Sequence, residues 1–261
     1  MTNSGKRKRL SRIFRADGRA VIVPMDHGVT NGPISGLANM QLIVDKLLEG
    51  EVDAVVLHKG IAKCVDSGRI GLIVHLSGST KWSPDPNRKV QVASVEEAER
   101  IGADAVSVHI NVGSETESEM LDMLGRVADE CDNLGMPLLA MMYPRGKEIK
   151  NEHAPDLLAH VARLGAELGA DVIKTNYTGE IDSFREVIRG CPVPVVIAGG
   201  PKAKETEDVF EMITGSLIAG GAGVSIGRNV FQAENPTAMA RAISHLVHKG
   251  SSVAGALAMV R

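Results

Sequence analysis

The chain has 261 residues and a net charge of -3, with apolar residues at 44% and charged residues at 23%. That balance is ordinary for a globular protein and leaves no bulk positive charge to draw it toward nucleic acid or an anionic membrane. No apolar run approaches the roughly 20 residues of a membrane span, and the sequence does not open on the apolar core of a signal peptide. Cys64, Cys131 and Cys191 are few, odd in number and far apart, which argues against a disulfide framework or a thiolate zinc site and for a reducing cytoplasm. Aromatic residues make up only 3%, so the core must be built from Val, Ile, Leu, Met and Ala.

Residues 1–18 read as a polar lead-in with a short helix at Ser11–Arg15. The basic cluster Lys6-Arg-Lys-Arg9 reads as solvated, because no basic face continues beyond it. Ala20–Met25 is the first strand, followed by the Gly-rich loop Asp26–Gly36 and a helix from about Leu37 to Glu49. Strand Asp53–His58 precedes a helical piece near Lys59–Asp66. Strand Gly71–Leu76 precedes a long loop with Pro84 and Pro86, then helix Ser94–Ile101, where Ser94 and Glu97 form a capping-box pattern. Strand Asp104–Ile110 leads to a helix near Glu115–Leu134, and strand Pro137–Met142 leads through loop Tyr143–Lys150 to helix Asn151–Leu168. Strand Asp171–Thr175 precedes helix Asp182–Ile188, and strand Val193–Ala198 precedes Gly199-Gly-Pro-Lys202 and helix Glu205–Ala219. Strand Gly223–Ile226 precedes Gly227-Arg-Asn229 and helix Pro236–His248, leaving a small apolar tail over residues 250–261.

Eight strands, each followed by helical sequence, predict an α/β fold of one domain, a single (β/α)8 barrel over residues 1–261. The strands are continuous apolar runs, as parallel strands covered on both faces are. Gly102, Gly169 and Gly221 sit where helices give way to strands and read as helix C-caps. An open doubly wound sheet is the competing architecture, but no dinucleotide-binding Gly-x-Gly-x-x-Gly follows the first strand.

The active site of such a barrel lies at the C-terminal ends of its strands. The first strand delivers Asp26 and His27. Strands two to four deliver His58, His75 and His109, and the fifth delivers Tyr143 and Arg145. The sixth delivers Lys174, Asn176 and Tyr177. The seventh and eighth end in Gly199-Gly200 and Gly227-Arg228, loops that commonly hold phosphate in this fold. Lysine is costly to bury, and a desolvated neutral lysine attacks carbonyls to form a Schiff base. Asp26 is a candidate proton relay for such chemistry, with Tyr143 or Tyr177 as the phenol. The plainer readings are a solvated strand-end lysine, a turn aspartate, a packed tyrosine and glycines that only make tight turns. His58, His75 and His109 offer a rival, a three-histidine zinc site.

Three stretches together carry a resemblance: Pro24-Met-Asp-His-Gly-Val-Thr-Asn-Gly-Pro33, Met142-Tyr-Pro-Arg-Gly146 and Lys174-Thr-Asn-Tyr-Thr-Gly179. They resemble the archaeal class I aldolase-like barrels, over nearly the whole chain and in order on the first, fifth and sixth strands. Met25 and the Lys-Thr-Asn-Tyr form favour the family's synthase branch over class I fructose-1,6-bisphosphate aldolase, which remains the alternative. The resemblance implies a transaldolase-type enzyme, transferase or lyase in class. It would join a three-carbon unit from 6-deoxy-5-ketofructose 1-phosphate to L-aspartate 4-semialdehyde, on an alternative route to 3-dehydroquinate and the aromatic amino acids. It assigns Lys174 as the imine lysine, Asp26 as proton acceptor and Tyr143 as proton donor. Substrate contacts would come from Asp26, His27, Gly28, Val29 and Thr30, from Tyr143, Pro144 and Arg145, and from Gly199, Gly200, Gly227 and Arg228. It implies no cofactor, no metal and a homo-oligomer.

Overall fold

The computed structural model describes residues 4–260. Eight parallel strands close into a barrel: Ala20–Pro24, Ala54–His58, Gly71–His75, Ala105–Val112, Leu138–Pro144, Val172–Thr175, Val195–Ala198 and Gly223–Ser225. Each pairs with its neighbours in chain order, and Ala20 opposite Gly223 joins the eighth strand to the first. The predicted barrel is thus the observed one. A two-stranded antiparallel ribbon, Ser77–Gly78 with Val90–Gln91, lies in the stretch read as loop after the third strand. Short helices at His27–Asn31 and Arg228–Phe231 are also additions.

Capping residues set several boundaries. The helix expected from Leu37 begins at Met40, because the Asn39 side chain accepts the Leu42 N–H and caps it there. The helix expected from Asn151 begins at Pro155, since Asn151 folds its own side chain onto the His153 N–H at 2.9 Å, and proline suits a first helical turn. Ser94 caps its helix as read, accepting the Glu97 N–H. Glu97 does not reach back to complete the box; its carboxylate binds Lys59 and Lys63, each at 2.9 Å. Gly102 is a left-handed C-cap, whereas before the eighth strand Gly220 takes that role in place of Gly221.

Side chains alternate between two apolar layers with the period of two that a strand imposes. Val172, Leu139, Met141, Tyr143, Val196 and Ala198 belong to the barrel interior. Ile173, Ala140, Met142, Val195 and Ile197 face the helices.

The N-terminal segment closes the bottom of the barrel; in its basic cluster Arg7 and Lys8 are exposed as read, whereas Lys6 is buried. The segment's helix spans Ser4–Leu10, about two turns earlier than the expected Ser11–Arg15, and Ile13 enters the interior layer. Three aspartates that precede strands accept a backbone N–H from the neighbouring strand: Asp53 from Val21, Asp104 from Leu72 and Asp171 from Leu138. Each also pairs with one cation of the lead-in: Arg15 with Asp53 at 2.5 Å, Arg12 with Asp104 at 2.7 Å and Lys6 with Asp171 at 2.9 Å. No apolar periodicity announces this helix, because its charges and not an apolar face dock it. Lys6 is 3% exposed, and removing one partner of a buried pair strands the other charge. Lys6→Met is expected to cost about 3 kcal/mol of stability, read as a fall in the denaturation midpoint at unchanged slope. A change below about 0.5 kcal/mol would mean the pair behaves as a surface contact.

Candidate active site

Strand parity points Lys174 inward. Val172 fills the barrel interior, so Lys174, two residues on, emerges on the same face one layer nearer the mouth. Register places it level with Met141 of the fifth strand and Val196 of the seventh. Tyr143 follows Met141 by two residues and so stands one further layer, about 6–7 Å, nearer the mouth. Asp26 comes just after the first strand, where the chain turns into the short helix His27–Asn31. These groups line one cavity of about 250 Å³ at the C-terminal ends of the strands. Lys174 is 7% exposed and Tyr143 6%. Among the described residues, the Lys174 amine and the Tyr143 hydroxyl have no hydrogen-bonding partner, and Lys174 forms no ion pair.

His75 Nε2 and His27 Nδ1 each stand 3.9 Å from an Asp26 carboxylate oxygen. Burial works against the Asp26 charge, but His75, His27, Lys174 and His58, the histidines being charged only in acid, overcome it and hold the carboxyl below the usual carboxylate range. Asp26 is therefore a carboxylate throughout the neutral range, the form a base needs. Burial pushes the histidines the other way. His75 falls to about 4 despite Asp26, and His27, His58 and His109 are also lowered, burial being the largest cause in each. All four are neutral at pH 7.

The three candidate zinc ligands are occupied with other partners. His75 Nδ1 bonds Ser107 Oγ at 2.8 Å and Nε2 faces Ser77 Oγ at 3.3 Å. His109 Nε2 bonds Asn111 Oδ1 at 2.8 Å, and His58 packs edge-on against His75. Among the described residues, no three His, Cys, Asp or Glu side chains converge as metal ligands would.

Tyr143 and Tyr177, equivalent by residue type, are separated by the fold. Tyr177 packs in the helix layer against Phe184. Tyr143 faces the cavity, with the Arg145 guanidinium 4.5 Å above its ring and the His109 ring at 5.0 Å.

The opposite wall is built by the seventh and eighth strand ends. Gly227 has no alternative, since a Cβ there would lie 2.5 Å from the Pro24 carbonyl and 3.0 Å from His27. Gly200 takes the left-handed φ of 61° in open space. Asn229 ties the two loops together, donating to the Gly199 and Pro201 carbonyls at 2.8 and 3.2 Å and accepting the Ala203 N–H at 2.8 Å. Arg228 Nε and Ser225 Oγ are buried here without a hydrogen-bond partner. Orphaned donors beside exposed glycine backbone suit an incoming phosphate.

Of the residues the resemblance assigned to substrate, Asp26, His27, Thr30, Tyr143 and Arg145 line the cavity, as do Gly199, Gly200, Gly227 and Arg228. Gly28 and Val29 instead border a neighbouring depression with Met25 and Ile61. Pro144 does not line the cavity, having the opposite strand parity to Tyr143. Lys89, Asn31, Asn176 and Ser225 line it without having been singled out as substrate contacts. Ser225 was readable as the polar residue at an interior position of an apolar strand. Lys89 lies in a loop without a motif, and only the fold brings it to the mouth.

The model of the DeoC/LacD family of aldolases matches residues 20–233. The chain belongs to that family. Among its relatives is a 2-amino-4,5-dihydroxy-6-oxo-7-(phosphonooxy)heptanoate synthase of Streptomyces griseus, 46% identical over 94% of this chain and 90% of the relative. A 2-amino-3,7-dideoxy-D-threo-hept-6-ulosonate synthase of Halobacterium salinarum is 45% identical over 99% of this chain and 97% of its own length. A solved archaeal fructose-1,6-bisphosphate aldolase, with its catalytic lysine covalently bound to the carbinolamine intermediate of the substrate, superposes with a TM-score of 0.88. It is 35% identical over 93% of this chain and 99% of that one. The family is thus one of class I aldolases and synthases built on this barrel. No helix among the described residues is long and apolar enough to cross a membrane.

Proposed function

We propose that the chain is a lysine-imine enzyme that joins a three-carbon unit from 6-deoxy-5-ketofructose 1-phosphate to L-aspartate 4-semialdehyde, giving 2-amino-3,7-dideoxy-D-threo-hept-6-ulosonate. The observation that carries this reading is Lys174, unpaired on the cavity wall between a carboxylate and a phenol. The Lys174 amine adds to the donor ketone, and the carbinolamine loses water as Tyr143 donates a proton to the departing hydroxyl. Asp26 takes the proton of the hydroxyl beta to the imine, the carbon–carbon bond breaks, the phosphate-bearing three-carbon fragment departs as an aldehyde, and the electron pair of the bond moves into the iminium to leave an enamine. The enamine carbon then attacks the aldehyde of the acceptor, the new alkoxide regains a proton, and water releases the product and Lys174. The imine is the electron sink in every step.

The names of the two synthase relatives support the acceptor. In both products C6 is the ketone and C4 and C5 carry the oxygens of an aldol, so the bond formed is C4–C5. Carbons 1–4, with their amino and carboxylate groups, have the skeleton of aspartate semialdehyde. The products differ at C7, which carries phosphate in one and no oxygen in the other. Fructose-1,6-bisphosphate cleavage is the second reading, favoured by the aldolase of TM-score 0.88. A cytoplasmic setting, supported by three free thiols, and a homo-oligomeric assembly complete the proposal.

Mass analysis of the product separates these readings. With the deoxyketohexose phosphate and aspartate semialdehyde, the enzyme is expected to give the seven-carbon amino keto acid faster than it cleaves fructose 1,6-bisphosphate; the reverse order would favour the aldolase. Arg228→Ala is expected to raise KM for the phosphorylated donor by about 10- to 100-fold, the range of a lost charge-assisted hydrogen bond, with less effect on the acceptor. Equal weakening toward a donor lacking phosphate would contradict the role given to Arg228.

A further inference from the structure

The described lining of the cavity holds four cations, Lys89, Arg145, Lys174 and Arg228, and a single carboxylate, Asp26. Asp26 is charge-coupled to Lys174, and Arg145 is paired with Glu152 at 2.9 Å. Arg228 and Lys89 form no ion pair with any described residue. Arg228 follows the eighth strand. Lys89 ends the loop between Ser77–Gly78 and Val90–Gln91, which is bound to the fourth strand: Ser77 Oγ accepts the His109 N–H, and Asn111 Nδ2 donates to the Asn87 carbonyl. In an eight-stranded barrel the fourth and eighth strands lie across the mouth from each other. Two cations without a close ion-pair partner among the described residues thus flank the mouth, with the imine lysine on a strand between them.

The two poles differ in chemistry. Around Arg228 are exposed glycine backbone and orphaned donors, which suit a phosphate. Lys89 is charge-coupled to Arg145, Asp26 and Asp85, and Asp26 and Arg145 line the cavity with it, so both signs of charge are present, as the ammonium and carboxylate of an amino acid require. Its Nζ donates to Ser79 Oγ and to the Pro86 carbonyl, both neutral, leaving one of three ammonium protons uncommitted. The loop is held in place: Thr30 Oγ1 donates to the Ser79 carbonyl, Lys81 N–H to the Thr30 carbonyl, and Thr116 Oγ1 to Asp85. Lys89 is therefore presented as a fixed cation rather than a mobile surface lysine.

We propose that Lys89 determines acceptor specificity, its ammonium binding the α-carboxylate of the amino-aldehyde at the pole opposite the phosphate loops. The assignment rests on the function proposed above. The test is steady-state kinetics of Lys89→Gln and Lys89→Arg with L-aspartate 4-semialdehyde and with propanal, which lacks the carboxylate. In parallel, borohydride trapping with the donor alone reads the imine half-reaction. Lys89→Gln is expected to lower kcat/KM for aspartate semialdehyde about 10- to 100-fold, mostly through KM. The loss with propanal is expected to be several-fold smaller, and Lys89→Arg to recover part of the difference. Equal losses with both aldehydes, or a loss in donor KM and trapping in place of acceptor KM, would overturn the assignment. Wild-type trapping of the donor without product from aspartate semialdehyde would refute the functional reading and the role of Lys89 with it. Wild-type turnover with Lys89→Gln unchanged would refute the role of Lys89 alone.

Discussion

Lys174→Ala is expected to remove turnover and the borohydride-trapped adduct together. The variant keeps Asp26, Tyr143 and the phosphate loops, so donor should still bind. What it lacks is the amine that turns a ketone into an iminium, and with it the place where the electrons of the breaking bond go. Loss of a covalent nucleophile costs about 10⁴-fold or more, so the residual rate should fall below detection. In the wild type, borohydride with donor should add mass to the peptide that carries Lys174. An adduct on Lys59, Lys89 or Lys202 would show that the nucleophile had been misassigned. Full activity after exhaustive EDTA treatment is expected, because the imine needs no Lewis acid. Loss on chelation, with rescue by Zn²⁺, would instead make the His58, His75 and His109 cluster the electron sink.

Tyr143→Phe and Asp26→Asn should each lower kcat by about 10²- to 10⁴-fold, the usual effect of losing one proton-transfer group, and they should fail at different steps. In the proposed mechanism Tyr143 acts while the carbinolamine sheds water, so Tyr143→Phe should slow both the appearance of trapped adduct and turnover. In the same proposal Asp26 acts at the carbon–carbon bond, so Asp26→Asn should still trap donor readily while turnover falls. Asn fills nearly the same space as Asp26 but has no charge to receive the hydroxyl proton. His109→Gln should cost less than Asp26→Asn, since His109 is neutral and bonded to Asn111. If trapping failed equally in both variants, the division of labour between the two relays would be wrong.

Tyr143 and Tyr177 illustrate what the residues alone leave open. Read from the sequence, both lie past apolar strands and both are phenols beside polar loops, although the fifth strand in fact runs on through Tyr143 to Pro144. Only the closed barrel shows that Tyr143 shares the interior parity of Met141, while Tyr177 lies beyond its strand and packs on Phe184 in the helix layer. The histidines teach the same lesson. Their positions at strand ends were legible, and so was the nearness of Ser77 to His75 and of Asn111 to His109, two residues apart in each case, but Ser107, which bonds His75 Nδ1, comes from the neighbouring strand.

The sequence by itself determined the barrel, because eight apolar runs alternating with helical ones have few other ways to bury both faces of a sheet. It also determined that Lys174, Asp26, Tyr143, the paired glycines and Arg228 share one rim, because parallel strands in a closed sheet all end at the same side. It did not determine the lead-in, whose cations dock onto Asp53, Asp104 and Asp171 through pairings up to 165 residues apart in the chain. Nor did it place Lys89, Asn229 or the ribbon at Ser77–Gly78 and Val90–Gln91. Periodicity reports which face of an element is buried. It carries no record of which polar side chain meets which across the chain, and that is decided only when the barrel closes.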